Sequence, residues 1–175
     1  MLCLFFISTF SHAKQAYFDA GIHFGGAKVD RVQLAGGAGS TDIGTGDVFS
    51  LSLGYAYTPI SEIDIQLGIG FRGNTAIGEE NNVKWSSNFI ESSAYYNLND
   101  FRIGSGIQHY INPELRGGTI NRDFENTNAY FITLEYKLYQ SILIGFRITS
   151  EEYIDEATRE NISGNTFGVT LVITQ

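Results

Sequence analysis

Eight charged side chains share one placement. Followed along segments in which apolar and polar residues alternate, Asp19, Asp64, Arg72, Glu91, Arg102, Glu135, Lys137 and Arg147 all fall on the face opposite the apolar one. Four acids and four bases gathered in a narrow enclosure must neutralise one another, because an unpaired buried ion costs several kcal/mol even after relaxation. The chemistry expected of them is a closed ion-pair network that fills an interior. Glu91 with Arg102 is the expected pair, since a tight turn joins the segments that carry them. Histidine chemistry is sparse. After the opening segment only His23 and His109 remain, and neither has a Ser or Asp partner at a suggestive spacing. His23 reads as an interior hydrogen-bonding group and His109 as an interfacial one. Glu151-Glu152, Asp155-Glu156 and Glu160 form a carboxylate cluster. Such a cluster can hold divalent cations against lipopolysaccharide phosphates, but its spacing does not match a calcium loop, and a solvated acidic loop is the preferred reading. Gly36-Gly37-Ala38-Gly39-Ser40 is followed by no Lys-Ser/Thr, so it is a surface loop and not a phosphate cradle. No catalytic, cofactor-binding or metal-binding residue is assigned, and no cofactor is expected.

The elements that position these residues are read from period-two alternation. Eight strands are expected, near Ala16–Gly25, Asp47–Tyr57, Ile63–Arg72, Trp85–Tyr96, Phe101–Gln108, Tyr130–Lys137, Ile142–Thr149 and Thr166–Ile173. The third alternates most cleanly, with Ile63, Ile65, Leu67, Ile69 and Phe71 against Asp64, Gln66, Gly68, Gly70 and Arg72. Tight turns are expected at Thr58–Ser61, Asn97–Asp100 and Tyr139–Ser141. Long polar connections are expected over Gly26–Gly46, Gly73–Lys84, Tyr110–Thr127 and Ser150–Ser163. Short and long connections therefore alternate, as periplasmic turns and extracellular loops do in an outer-membrane barrel. The fold class is all-β, an eight-stranded antiparallel up-and-down transmembrane β-barrel.

Composition narrows the partners. The net charge of −8 offers nothing to release counterions from a nucleic acid. No uncharged apolar run approaches the roughly 20 residues of a spanning helix. High glycine and tyrosine with a mean hydropathy near zero suit strands with one greasy and one polar face. On the apolar face no Asp, Glu, Lys or Arg falls in the middle of any strand. A soluble barrel reverses this, with apolar side chains inside and charges out. Gly54, Gly68, Gly70, Gly104, Gly106, Gly145 and Gly168 share the inward parity, as a narrow interior requires. Tyr55, Tyr57, Tyr96, Phe101 and Tyr136 lie outward beside the short turns and read as a periplasmic aromatic girdle. Arg placed at outward Leu67 or Ile144 is expected to destabilise the barrel, whereas Gly46, outside the membrane, is expected to tolerate it.

Residues 1–13 read as a secretion signal, with an apolar core ending Ser11-His12-Ala13 and cleavage at Ala13–Lys14. Its basic start is missing, so initiation is expected upstream; a buried N-terminal strand is the alternative. Residues 14–175 form the barrel. The only cysteine, Cys3, lies in the signal, which leaves the mature chain free of thiols. This architecture resembles the small outer-membrane barrels of the OmpA/OmpX type, including the opacity-like surface proteins. One departure is that the chain closes Ile173-Thr174-Gln175 where such barrels often end in an aromatic residue. The resemblance implies a monomer in the outer membrane of a Gram-negative bacterium, in contact with lipid and lipopolysaccharide and inserted by the barrel-assembly machinery. A structural or surface-interaction role with a plugged lumen is expected. The alternatives are a lipid-modifying enzyme and a narrow low-conductance channel. Barrel lipid A deacylases carry a His-x-Ser motif, but here His23 is followed by Phe24-Gly25 and His109 by Tyr110-Ile111.

Overall fold

A chain whose side chains alternate in character has to pair its backbone edges while it separates its two faces. The computed structural model describes residues 13–33, 40–77, 82–117 and 120–175, and these are all strand, turn and short connection. The strands are β1 (Ala13–Gly25), β2 (Lys28–Gln33), β3 (Ser40–Gly44), β4 (Val48–Ile60), β5 (Ile63–Ile77), β6 (Asn82–Leu98), β7 (Phe101–Gly117), β8 (Ile120–Asp123), β9 (Thr127–Tyr139), β10 (Ile142–Ile154), β11 (Asn161–Ser163) and β12 (Thr166–Thr174). Eight of them close a ring, each antiparallel to its neighbours: β1–β4–β5–β6–β7–β9–β10–β12, with β12 returning to β1. The segment read as a signal lies outside the described residues up to Ala13, where β1 begins.

The two ends of the ring differ. At the turn end, β4–β5, β6–β7 and β9–β10 are joined by two-residue turns at Ser61–Glu62, Asn99–Asp100 and Gln140–Ser141. Asn99 takes a left-handed conformation (φ 54°), which a short amide side chain tolerates in a hairpin turn. At the loop end the connections expected to be polar loops are largely strand. The β5–β6 ladder runs on to Ile77–Asn82, β7 continues to Gly117 and pairs with β8, and β10 continues to Ile154 and pairs with β11. β2 and β3 form a separate hairpin within the first long connection. Its Gly36–Gly39 stretch lies outside the described residues. Backbone hydrogen bonds knit these pieces together: Ala27 N–H to Ser163 (2.9 Å), Glu125 N–H to Ile154 (2.9 Å) and Glu156 N–H to Asp123 (3.0 Å).

A change of polarity partway along the strands divides the barrel into two storeys. On β10 the outward residues run Ile142, Ile144, Phe146 and Ile148, then Ser150 and Glu152, all exposed. The inward residues run Leu143, Gly145, Arg147 and Thr149, then Glu151 and Tyr153, all buried. Outward side chains thus pass from apolar to polar toward the loop end, while inward ones pass from polar to aromatic. The same switch follows Tyr130 on β9, where Asn128 is next outward, and Ile90 on β6, where Asn88 is next. The loop-end storey has an apolar interior of Val48, Val83, Trp85, Phe89, Tyr110, Leu115, Phe124, Ala129, Tyr153 and Ile162. Its rings pack edge to face, with Trp85 centroids 5.0 Å from Phe124 and 5.1 Å from Tyr153. Inward glycines in the turn-end storey make room for rings of the neighbouring strands. A Cβ at Gly104 would meet Tyr95, and one at Gly106 would meet Phe131.

Candidate functional site

The turn-end storey holds most of the eight charged residues, and it pairs them differently from the sequence expectation. Arg102 donates through Nε to Glu135 at 2.5 Å, and its Nη1 lies 3.7 Å from Asp64. Arg147 bridges two acids, with Nη2 3.0 Å from Asp19 and Nη1 3.2 Å from Glu91. Glu91 and Arg102 are therefore not partners. Their hairpin has a two-residue turn, so register sets Glu91 opposite Gln108 and Arg102 opposite Asn97, and Glu91 ends up several residues deeper in the lumen. Lys137 has the inward parity but is exposed at the turn-end mouth. The register slips beside it, between Ile142 and Leu143, and no ion pair joins it among the described residues.

Arg72 finds an acid that sequence reasoning assigned to a solvated loop. Its Nη1 donates to Glu151 at 2.6 Å and also to the Tyr110 hydroxyl. Glu151 is 2 % exposed, because β10 continues its alternation past Ser150 and delivers this side chain inward. A relay of hydrogen bonds joins Arg72 to the Arg147 cluster: Tyr110 donates to Gln108 at 2.8 Å, and Gln108 donates to Glu91 at 2.6 Å. The polar contacts thus run unbroken from Asp19 through Arg147, Glu91, Gln108, Tyr110 and Arg72 to Glu151. Each guanidinium also lies over a ring, Arg102 on Tyr95 (4.2 Å), Arg147 on Phe131 (4.2 Å) and Arg72 on Tyr110 (4.9 Å). Such stacking suits a planar, weakly hydrated cation and not an ammonium. Gln108 lies on the expected inward face of the fifth strand, whereas Tyr110 and Glu151 fall in expected loops; their signal is the inward parity continued beyond the last apolar outward residue.

His23 is buried in the lumen, with Nε2 2.8 Å from the Ser50 hydroxyl. The pair faces inward from neighbouring β1 and β4, away from the outward surface. His109 is exposed outside the barrel and pairs its Nδ1 with Asn128 at 2.9 Å. The acidic cluster of the last connection does not converge. Asp155 accepts from Arg122 Nε at 2.6 Å and from the N–H groups of Ala157 and Thr158 at 2.9 and 2.8 Å. Glu160 meets the same arginine, and Arg159 reaches Glu125. Burial alone would raise the Asp155 carboxyl, but these hydrogen bonds and the guanidinium outweigh it and bring it down to about 2. Of the outward aromatics, Tyr55, Tyr96, Phe101 and Tyr136 are exposed beside the turns and Tyr57 is half-buried. The rings of Phe101 and Tyr136 lie 4.9 Å apart. A second set of outward rings, Phe24 with Phe167 and Phe49 with Phe71, sits at the upper edge of the apolar belt.

Gly46 also departs from expectation. A Cβ there would collide with the Gly25 carbonyl, so this glycine is a packed joint and not a permissive loop residue.

No family model matches the chain, and no curated protein matches it in sequence. Among solved structures it is similar to Neisserial surface protein A, at a TM-score of 0.56 and 10 % identity, covering 93 % of this chain and 97 % of that one. It is also matched to Ail, the attachment invasion locus protein of Yersinia pestis, at a TM-score of 0.48 and 7 % identity, covering 94 % and 97 %. At 10 % identity the likeness to the Neisserial protein establishes the fold alone, an eight-stranded antiparallel up-and-down barrel.

Proposed function

We propose that this chain is a non-catalytic barrel of a Gram-negative outer membrane, a monomer with a plugged lumen that lifts a rigid polar storey above the lipid for surface interaction. The carrying observation is the change of polarity along the strands. Around the ring the outward belt is apolar and exposed, with Leu53 60 %, Leu67 60 % and Ile132 63 % accessible. A belt of this kind is costly in water and suited to lipid. On β5 it runs from Ile63 to Phe71, roughly 27 Å along the strand at about 3.4 Å per residue, or about 20 Å along the axis after a tilt near 40°. Exposed Ile60, Leu98 and Leu138 extend it to the turns, toward the roughly 25 Å of an outer-membrane apolar band. The turns then lie at the periplasmic interface, where the exposed tyrosines serve as a girdle, and the loop-end storey stands outside, next to lipopolysaccharide. Insertion by the barrel-assembly machinery follows from the fold type.

Two features support a plug in place of a pore or an enzyme. Ion pairs and stacked guanidinium groups occupy the turn-end storey, and an aromatic core occupies the loop-end storey. Among the described residues the one Ser–His contact points into that packed interior, whereas an enzyme acting on a membrane lipid needs its nucleophile at the outward rim. In planar bilayers the protein is expected to conduct ions poorly. Large, steady currents would overturn the plugged reading.

The orientation has its own test. Protease added to intact cells should cut first in the exposed turn at Glu156–Glu160 and leave Ser61–Glu62, Asn99–Asp100 and Gln140–Ser141 intact. Cleavage confined to those three turns would place the barrel the other way up.

A further inference from the structure

We infer that the turn-end mouth is a binding site for a small zwitterion, a short peptide or amino acid that presents one carboxylate and one ammonium. The inference comes from the geometry of the mouth and does not rest on the outer-membrane reading. The mouth is a recess of about 330 Å³, lined by Arg102, Lys137, Asp64, Asp100, Asn97 and Asn99 among others. That volume is at the lower end of small-ligand sites, enough for a peptide of one to three residues.

Three observations give the recess its selectivity. The first is an under-used guanidinium. Arg102 is 5 % exposed and committed to Glu135 through Nε; its Nη1 has only the 3.7 Å approach to Asp64, and its Nη2 has no hydrogen-bond partner among the described residues. A buried guanidinium normally fills its donors; Nη2 is enclosed, so Nη1, on the side of Asp64, is the nitrogen with capacity for a further acceptor in the recess. The second is Lys137, which lines the same recess. Among the described residues no ion pair or side-chain hydrogen bond holds its ammonium, so the recess carries a second cation for a carboxylate. The third is an acid held in place. Asp64 accepts from the Thr58 hydroxyl at 2.6 Å and from Asn97 Nδ2 at 3.1 Å, with exposed Asp100 on the rim.

A simple anion would meet Asp64 and Asp100, and a simple cation would meet Arg102 and Lys137. A molecule with both charges satisfies both pairs, and the amides of Asn97 and Asn99 match the donors and acceptors of a peptide unit. Neither charge pair is shared with the Arg147 cluster deeper in the lumen.

The test is a titration of triglycine into the full barrel in detergent micelles, followed by amide NMR shifts of Asn99, Asp100 and Lys137. N-acetyl-triglycine, triglycine amide and inorganic phosphate serve as the competing probes. Saturable binding of triglycine is expected, about fivefold to tenfold weaker for either blocked peptide, since each loses one half-exposed charge pair. Lys137→Met and Asp100→Asn change exposed side chains, so both variants should fold, and each should weaken triglycine by a similar factor. The proposal is overturned if triglycine does not bind, if phosphate binds as tightly as triglycine, or if the blocked peptides or the two variants make no difference.

Discussion

Replacing Arg147 by Met will cost the folded barrel about 3–5 kcal/mol, more than removing its two acids along with it. Arg147 is 2 % exposed and is the one cation that touches both Asp19 and Glu91. Without it two carboxylates share a low-dielectric interior, and each loses more to desolvation than packing can return. The triple variant Asp19→Asn, Glu91→Gln, Arg147→Met has no charge to strand, so most of the loss should be recovered. Arg147→Lys should fall between the two, because a single ammonium cannot donate along two parallel directions while lying on the Phe131 ring. Urea unfolding of the barrel in lipid vesicles, read by far-ultraviolet dichroism, gives all three values. A single variant no less stable than the triple one would mean that the lumen is wet enough to solvate both acids.

Arg at outward Leu67 or Ile144 will cost about 2–4 kcal/mol near the middle of the belt, while Arg at Glu152 will cost little. Leu67 and Ile144 are 60 % and 41 % exposed, so neither variant creates a cavity or breaks a packed core. The penalty is that of moving a guanidinium from water to hydrocarbon. Glu152 points outward from the same strand as Ile144 but above the change of polarity, which makes it the matched control. It replaces Gly46, which packs against Gly25. The comparison runs in the same vesicles, and equal tolerance at all three positions would remove the belt's claim on lipid. The same three substitutions in detergent should differ less, since micelles deform around a charge.

Most of the ring was legible because a strand with one greasy face fixes the parity of every residue along it. Ile63 to Arg72 shows this best, and the inward placement of Glu91 fixes the parity of β6 as well. Parity was not followed far enough. The seventh expected strand ends at Thr149, where outward residues cease to be apolar, yet on β10 the alternation passes from Ile148 to Tyr153 without a slip. What changes at Ser150 is the polarity of the outward face, not the backbone. An end at Ser150 makes Glu151 a loop acid, and loops expected over Tyr110–Thr127 and Ser150–Ser163 take in Tyr110 and Tyr153. Pairing within the lumen was illegible for another reason. Arg147 reaches Asp19 and Glu91 across the barrel's interior, a distance set by ring closure and side-chain length, which no neighbour-to-neighbour register predicts. Lys137 was misplaced by a single register irregularity that leaves no mark in composition.

The seam of the ring lies between β1 and β12, which pair from Tyr17 with Thr174 to Gly25 with Thr166. Among the described strands the first and last in sequence are therefore neighbours, and this ladder cannot form until both have been made. Without it the remaining ladders make an open sheet with two bare edges, at β1 and β12. Closure by contacts this remote in sequence is slow, and exposed edges invite pairing between chains. The danger to this protein is thus concentrated in the interval before that ladder forms. A chain that loses its final strand loses more than one-eighth of its wall, because β1 and β10 are both left unpaired and Arg147 no longer faces Asp19 across a closed interior.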